Sequence, residues 1–303
     1  MKRFQNIAVV ARLRQPEVID SLRRLVAFLK ADNRNLYVEK LTSESLNDAT
    51  IPIVSRSCAA EILDLVIVVG GDGSMLSAAR ALVDLNVPLL GLNRGRLGFL
   101  TDIHPDDMEQ SIGEVLQGEY EVTQRFLLEM VIEREGEIID GGHALNDLVI
   151  HPGKSVRMME FELYIDGHFV YSQRSDGLIV STPTGSTAYA LSAGGPIMTP
   201  ELNAFVLVPM NAHTLASRPI VVSGDSRIEI LVGARNELHP FVTCDGQVDV
   251  RTELGDIIKI NRGRQALRLI HPRGHDFYET CRNKLDWGKR LDSLHDDLDV
   301  DQR

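Results

Sequence analysis

Short apolar runs alternate with helical patterns from the N-terminus to about residue 120. Leu65–Val69 is continuously apolar and rich in β-branched residues, as expected for a strand that is covered on both faces. Apolar residues between Val18 and Leu29 recur at helical spacing. This alternation predicts a parallel sheet with helices on its faces. The other predicted elements of this part are strands at Ile7–Val10, Leu36–Val38 and Val87–Leu92 and helices from Ser74 and over Pro105–Leu116.

From about Gln124 to Ile270 the pattern indicates short strands and tight turns. Asp166-Gly167 separates two strand-like runs, which is a hairpin signal. One helical stretch, near Ser186–Ser192, interrupts the strands. We therefore expect an all-β domain, a sandwich of two packed sheets. Its predicted strands are Phe126–Glu133, Glu160–Ile165, His168–Arg174, Leu178–Ser181, Phe205–Val208, Arg227–Val232, Phe241–Cys244, Ile257–Ile260 and Ala266–Ile270.

The C-terminal part is helical again over Asp276–Leu285 and then becomes polar and acidic. We expect three segments: an α/β domain over residues 1–122, an all-β domain over residues 123–273, and residues 274–303. The last segment is predicted to pack its helix on the N-terminal domain and to end in a solvated tail. Because no low-complexity linker separates the first two segments, we expect the active site to lie between them.

Charge and cysteine usage narrow the class of protein. The formal net charge is −11, which argues against nucleic acid and anionic membrane as partners, since both attract basic surfaces. The three cysteines are scattered, as is typical of reduced thiols in a cytoplasmic protein. Apolar runs are too short for a signal peptide or a membrane span, so we expect a soluble, cytoplasmic chain.

The segment Gly70–Ser74 (GGDGS) follows a buried strand and opens a helix. Glycines let a phosphate approach the backbone, and a helix N-terminus favours negative charge. Asp72 places an acid in this turn, where a carboxylate repels phosphate unless it accepts a proton or helps to hold Mg²⁺. The alternative interpretation is that Asp72 only caps the helix.

The stretch Ser181–Pro196 (STPTGSTAYALSAGGP) is the most informative part of the sequence. Pro183 and Gly185 predict a turn, and Ser186 or Thr187 can cap the short helix that follows. Small hydroxyl residues suit a tightly apposed ligand, and Tyr189 offers a ring face with a polar tip. A Gly/Ser/Thr-rich loop without a ligand is the alternative.

These motifs resemble a known family. The GGDG turn resembles the superfamily that holds NAD kinases, lipid kinases and 6-phosphofructokinases. The stretch Thr182–Pro196 closely resembles the NAD kinase signature and departs from it only at Ala190, where serine is common. The chain thus resembles the ATP-using NAD kinases of Gram-negative bacteria, with matching elements in family order from about residue 65 to about residue 275.

The resemblance implies roles for individual residues. It implies that Asp72 is the base that activates the acceptor hydroxyl, with Gly73 against phosphates. It also implies that an element at His213–Pro219 belongs to the pocket wall, although Asn211-Ala212 before it depart from the family pattern. The further nucleotide-binding residues that it implies are Phe99, Asn146, Asp147, Arg157, Arg174, Asp176, Thr187, Ala188, Tyr189, Ala190, Leu191, Ser192 and Gln247.

The implied reaction is transfer of the γ-phosphoryl group of ATP to the 2′-hydroxyl of the adenosine ribose of NAD. None of the nine histidines has metal-ligand spacing, so we expect no dedicated metal site and Mg²⁺ that arrives with ATP. The resemblance also implies a homo-oligomer, either a dimer or a tetramer. Two alternatives stay open: a non-catalytic protein that senses NAD, and a lipid or sugar kinase of the same superfamily.

Overall fold

The computed structural model describes residues 4–11, 16–94, 98–153, 157–214, 216–237 and 239–287. The predicted acidic tail therefore lies outside the described residues. The N-terminal part alternates strands and helices. Its elements are β1 (Asn6–Val10), α1 (Pro16–Ala31), β2 (Asn35–Val38), α2 (Lys40–Leu46), α3 (Arg56–Ile62), β3 (Leu65–Val69), α4 (Asp72–Leu82), β4 (Leu89–Leu92) and α5 (Met108–Gln117).

The remainder is almost entirely strand and closes with one helix. Its elements are β5 (Tyr120–Arg134), β6 (Glu137–Ala144), β7 (Asp147–His151), β8 (Met159–Ile165), β9 (His168–Ser175), β10 (Gly177–Ser181), α6 (Tyr189–Ser192), β11 (Ala204–Met210), β12 (Ile220–Ser223), β13 (Ile228–Val232), β14 (Phe241–Cys244), β15 (Val248–Arg251), β16 (Ile257–Pro272) and α7 (Phe277–Leu285).

Two sheets carry the fold. The larger sheet has ten strands in the order β2-β1-β3-β4-β16-β13-β8-β9, with β5 paired to β16 and β6 paired to β5. The pairs among β1, β2, β3 and β4 are parallel, as the alternating pattern predicts. The smaller sheet has six antiparallel strands in the order β12-β11-β10-β7-β14-β15.

The core follows this division. Apolar residues cover both faces of the parallel strands, with α1 and α5 in one cluster and α4 in another. A third cluster lies between the smaller sheet and the antiparallel part of the larger one, and includes the fully buried Phe161 and Phe205. The prediction of an α/β domain with a parallel sheet and a two-sheet β sandwich is confirmed.

Strand β16 joins the two parts. Its end pairs in parallel with β4 at Leu269 and Ile270, while most of its length pairs antiparallel with β5. Residues 257–260 and 266–270 are predicted as two strands. They form one strand, because pairing with β5 resumes at Ala266 after a bulge that follows Arg262. Strands from both sides of the boundary at residue 122 belong to the same ten-stranded sheet. The division into three segments therefore stays a prediction.

The pattern does not reveal β6, β7, β12, β15, α2 and α3. Strands β6, β12 and β15 are largely or partly exposed and have only short apolar runs, whereas β7 is a buried central strand of the smaller sheet. Helix α4 begins at Asp72 rather than at Ser74, which places the aspartate in the first turn. The Asp166-Gly167 hairpin is confirmed, with both residues at positive φ as a type I′ turn requires.

The C-terminal helix packs back on the N-terminal part, as predicted. The Phe277 and Phe99 ring centroids lie 6.4 Å apart, and Lys284 Nζ lies 5.5 Å above the Phe99 ring. Asp276 caps α7 by accepting a hydrogen bond from the Tyr278 N–H. None of the helices in the described part of the chain combines the length and the apolar composition that a membrane crossing needs.

Candidate active site

A cleft of about 990 Å³ opens over one face of β7 and beside the neighbouring parts of β11 and β14 on the smaller sheet. This volume is at the upper end of the range for small-molecule sites. Six residues that the sequence analysis singles out line it: Asn146, Asp147, Asp176, Ala188, Tyr189 and Ser192. Its wall also includes His151, Asn211, Thr243, Asp245 and Gly246.

Asn146 and Asp147 present polar side chains to this cleft. Asn146 Oδ1 is buried and has no hydrogen-bond partner among the described residues. Asp147 is 4% exposed, and its burial, with the nearby charge of Asp245, raises the pKa of its carboxyl to about 7. A buried acceptor without a partner is costly in a native fold, so the pair is suited to a ligand that supplies donors.

Asp245 holds the segment that carries this pair. It lies in a tight turn between β14 and β15, where Asp245 and Gly246 both have positive φ. Its fully buried carboxylate accepts hydrogen bonds from the N–H groups of Leu145 (3.1 Å), Asn146 (2.7 Å) and Asp147 (3.3 Å). Arg80 of α4 also donates to it. The guanidinium neutralises a charge that would otherwise be buried alone.

Gln247 ties the same turn to the glycine-rich turn. Its Nε2 donates to the Gly73 carbonyl oxygen over 2.9 Å, and its Oε1 accepts from Arg80. The GGDG turn therefore lies at the rim of the cleft. Helix α4 is fixed to the turn between β14 and β15 at two points, Gly73 in its first turn and Arg80 about two turns further on.

Asp72 is the first residue of α4, and its side chain is 29% exposed. Its carboxylate accepts hydrogen bonds from the Phe99 N–H (2.9 Å) and the Leu100 N–H (3.0 Å), and Thr101 Oγ1 lies at 3.4 Å. Lys284 Nζ of α7 lies 3.9 Å from Oδ2. A carboxylate has about four acceptor positions, so Asp72 can still accept from a ligand.

The position of Asp72 requires a glycine opposite it. A Cβ at Gly98 would overlap Asp72 Oδ1 and Thr101 Oγ1. The loop after β4 can therefore enclose the carboxylate only because residue 98 has no side chain.

The hydroxyls of the signature stretch bind the chain itself. Thr182 Oγ1 donates to the Leu145 carbonyl oxygen over 2.6 Å, and Ser186 Oγ donates to the Pro183 carbonyl oxygen over 2.7 Å. Both residues are fully buried, and a Cβ at Gly185 would overlap the Asn146 carbonyl. The small residues therefore let this loop pack against the Asn146 segment, which differs from the expectation that they lie directly against a ligand.

The residues from 187 to 192 point in different directions. Tyr189 is 50% exposed and lines the cleft with Ala188 and Ser192. Ala190 is fully buried in an apolar cluster with Met198 and Val206, so its side chain does not reach the cleft. Thr187 Oγ1 donates to the Thr184 carbonyl oxygen over 3.3 Å, and Leu191 is partly buried.

Three other predicted residues lie away from the cleft wall. Arg157 is exposed and forms an ion pair with Glu237. Arg174 is exposed on β9, and its carbonyl oxygen accepts from the His213 N–H. Phe99 packs against α7, although its N–H contributes to the site through Asp72.

Sequence reasoning assigned no site role to Arg80 or Asp245. Arg80 is two turns beyond Asp72 on α4, a spacing that could have placed both on one face. Asn211 Nδ2 donates to Asp176 Oδ2 over 2.8 Å, so the departure from the family pattern at this position contacts a predicted site residue.

Comparison with known proteins agrees with this architecture. Residues 7–120 match the model of the ATP-NAD kinase N-terminal domain, and residues 145–272 match that of the ATP-NAD kinase C-terminal domain. The chain is 56% identical to the NAD kinase of Teredinibacter turnerae over 95% of its length and 98% of the relative's. It is 56% identical to the NAD kinase of Chromohalobacter salexigens over 96% and 99%.

Solved structures have the same fold. Yeast NADH kinase complexed with NADH superposes with a TM-score of 0.84 at 24% identity, covering 96% of this chain and 90% of that one. An NAD kinase from Archaeoglobus fulgidus in complex with ATP gives a TM-score of 0.70 at 27% identity, covering 93% and 97%. The two family models and the two NAD kinase relatives show that the chain belongs to the ATP-NAD kinase family.

Proposed function

We propose that the chain phosphorylates NAD to NADP, with ATP as the phosphoryl donor and the 2′-hydroxyl of the adenosine ribose as the acceptor. The observation that carries this proposal is the link between two sites. A partly exposed carboxylate in a glycine turn, Asp72, adjoins a large cleft with polar side chains, and Gln247 and Arg80 connect them.

The cleft has the chemistry to bind a dinucleotide. Asn146 Oδ1 and the Asp147 carboxyl can accept hydrogen bonds from a base amino group or from ribose hydroxyls. The exposed ring of Tyr189 offers a stacking face. Asp176, held by Asn211, and Ser192 provide further polar groups on the same wall.

Asp72 serves as the general base in this proposal. As the ribose hydroxyl attacks phosphorus, its proton passes to a carboxylate oxygen of Asp72, and the bond from the γ-phosphorus to ADP breaks. Such assistance typically contributes 10²–10⁴-fold to a rate. Lys284 near Asp72 offsets negative charge, while the hydrogen bonds from residues 99–101 fix the carboxylate.

The residues at the glycine turn suit a metal that comes with the nucleotide. The carboxylate of Asp245 accepts hydrogen bonds from backbone N–H groups and Arg80. Asp72 is partly exposed and is therefore the carboxylate near the turn that can still bind a ligand. Mg²⁺ keeps several waters and binds through one or two carboxylates plus substrate phosphates. Bound there, it would neutralise phosphate charge. Arg174 and Arg157 stay candidates for contacts with phosphate oxygens.

We further propose a homo-oligomer, a dimer or a tetramer, formed through the β sandwich. Large apolar side chains are exposed on its strands, among them Ile138 (69%), Phe169 (58%) and Val221 (52%). Burying them between copies removes apolar area from water. A cytoplasmic location rests on the scattered thiols and the short apolar runs of the sequence, and it stays a prediction.

The activity is tested with the purified chain, ATP, Mg²⁺ and NAD, with NADP⁺ followed by an NADP-specific dehydrogenase. Diacylglycerol and fructose 6-phosphate serve as alternative acceptors. We expect ATP-dependent NADP⁺ formation and no phosphorylation of either alternative acceptor. NAD binding without NADP⁺ would favour the sensor, and phosphorylation of the lipid or the sugar would favour the other kinases.

A further inference from the structure

Asp102, His271 and His275 form a cluster outside the cleft. One potential ligand atom from each residue lies within 4.8 Å of the other two. Both Nδ1 atoms face the same carboxylate oxygen: His271 Nδ1 contacts Asp102 Oδ2, and His275 Nδ1 lies 3.4 Å from it. The two imidazole rings are stacked with centroids 4.0 Å apart. Residue 102 is remote in sequence from the histidines, so spacing alone does not reveal the cluster.

The second nitrogen of His271 is already engaged. His271 Nε2 lies 2.7 Å from Thr123 Oγ1. Metal-binding histidines usually donate their other ring N–H to an oxygen of the protein, which fixes the tautomer and orients the ring. In the tautomer with Nε2–H donating to Thr123 Oγ1, the Nδ1 lone pair of His271 faces Asp102, and a cation between them would join the two acceptors. In the other tautomer, Nδ1–H donates directly to Asp102.

The surroundings suit a cation and leave a route to it. His271, Asp102 and His275 side chains are 2%, 14% and 14% exposed. A cavity of about 240 Å³ reaches Asp102 and His275 and is also lined by Asp276 and Glu279. The negative charge of Glu121 favours positive charge at His275, as that of Asp102 does, and the buried guanidinium of Arg125 opposes it. The acidic groups therefore outnumber the guanidinium around the cluster.

We propose that Asp102, His271 and His275 form a binding site for a divalent transition-metal ion such as Zn²⁺. One carboxylate oxygen and two imidazole nitrogens are the three-ligand set that Zn²⁺ accepts, and the cavity leaves a fourth position to water. Ligand atoms at about 2.0–2.2 Å from one tetrahedral ion lie about 3.4 Å apart, so His275 Nδ1 and Asp102 Oδ2 already have the required spacing. Binding moves His271 Nδ1 away from Asp102 and turns the stacked rings so that both lone pairs point at the ion.

Such an ion would fasten two segments that meet at Asp72. Asp102 directly follows Thr101 of the loop that holds the Asp72 carboxylate. His275 precedes α7, which brings Lys284 to the same carboxylate. The site is thus a clamp between this loop and the C-terminal helix, and it is separate from the Mg²⁺ that accompanies ATP.

The test uses the full chain after chelator treatment, with Cys58→Ser to remove the exposed thiol and without nucleotides. Zn²⁺ is titrated by calorimetry, and Co²⁺ is titrated by its visible absorption. His275→Phe keeps a stacked ring but removes a ligand. Thr123→Val removes the partner of His271, and His168→Phe is the control on an exposed strand position.

We expect one ion per chain, an intense Co²⁺ spectrum, and metal-dependent protection against thermal unfolding. Thr123→Val should weaken binding about 10–100-fold. His275→Phe should abolish binding and protection, and His168→Phe should change neither. The proposal would be overturned if the Cys58→Ser chain did not bind the metal, or if His275→Phe bound it with the same affinity. The three residues would then form a hydrogen-bonded cluster only.

Discussion

Two aspartates in glycine-containing turns are tied to helix α4, Asp72 as its first residue and Asp245 through Arg80, and they differ in what surrounds them. Asp72 accepts two backbone N–H groups from the loop after β4 and is 29% exposed. Asp245 accepts three backbone N–H groups and pairs with Arg80, and its side chain is fully buried. Both carboxylates organise a loop, but only Asp72 keeps an open side.

The difference teaches how an aspartate in a turn acquires a role. A carboxylate whose acceptor positions are filled by the protein holds structure, whereas one with free positions beside a cleft can take a proton. Both turns read alike in the sequence, as Asp-Gly after an apolar strand. Their roles follow from partners that are remote in the chain, namely residues 99–101 for one and Arg80 with residues 145–147 for the other.

Removing the partner of the buried aspartate should have the largest effect on stability. Arg80→Met leaves the Asp245 charge buried and unpaired, so we expect the free energy of unfolding to fall by about 3–5 kcal/mol. Urea denaturation measures this. Arg56→Met is the matched control, because Arg56 pairs with Asp84 at an exposed site and should cost about 0–1 kcal/mol. Equal losses in the two variants would contradict the structural role of Asp245.

Disturbing the loop around the exposed aspartate should instead affect the rate. Gly98→Ala introduces a Cβ that overlaps Asp72 Oδ1, so the carboxylate has to move. A displacement of this size can lower kcat by about 10²-fold. Gly113→Ala in α5 is the control, since its Cβ meets only Phe28 at an ordinary contact distance of 3.7 Å. Steady-state kinetics with both variants measure the effect on kcat. An unchanged kcat in Gly98→Ala would contradict a role of this loop in positioning Asp72.

The burial of Asp147, together with the nearby charge of Asp245, predicts a pH dependence of stability. The folded pKa of Asp147 is raised to about 7, above an unfolded value of about 3.9, so the folded state holds the proton more tightly. This contribution to stability is fully present below pH about 4 and is lost as the pH rises through about 7.

Asp147→Asn removes this titration. Relative to the variant, the wild type should therefore lose about 2 kcal/mol of unfolding free energy between pH 5 and pH 8. Urea denaturation of both proteins at the two pH values measures the difference. A constant difference would mean that Asp147 is not perturbed by burial.

Arg157 should have the smallest effect. Its side chain is 64% exposed and its partner Glu237 is 65% exposed, so Arg157→Ala should change the free energy of unfolding by about 0–1 kcal/mol. If Arg157 contacts ATP, the KM for ATP rises in this variant while stability stays the same. An unchanged KM would remove Arg157 from the nucleotide site.

Patterns with a strong local cause could be predicted from the sequence. The β-branched run Leu65–Val69 is fully buried, and Asp166-Gly167 forms a turn because its two residues accept positive φ. The cluster of Asn146, Asp147, Asp176 and Tyr189 at one cleft followed from motif resemblance rather than from periodicity.

What the sequence could not predict depends on contacts between distant residues. Arg80 and Asp245 are 165 positions apart, and no local pattern links them. Strand β6 has only the short, exposed apolar run Ile138-Ile139, and the polar residues at the bulge of β16 separate two apolar runs that belong to one long strand. Ala190 falls within a ligand-binding motif, yet the short helix α6 turns its side chain into the core.

The most direct test compares Asp72→Asn with Asp245→Asn in single-turnover NADP⁺ formation, with the folded fraction of each variant measured in parallel. We expect Asp72→Asn to lose about 10²–10⁴-fold in the rate of transfer while it stays folded and binds NAD. We expect Asp245→Asn to lose stability and NAD affinity, with the transfer rate of the folded, NAD-bound protein largely kept. Transfer at the wild-type rate by Asp72→Asn would contradict the assignment of Asp72 as the base.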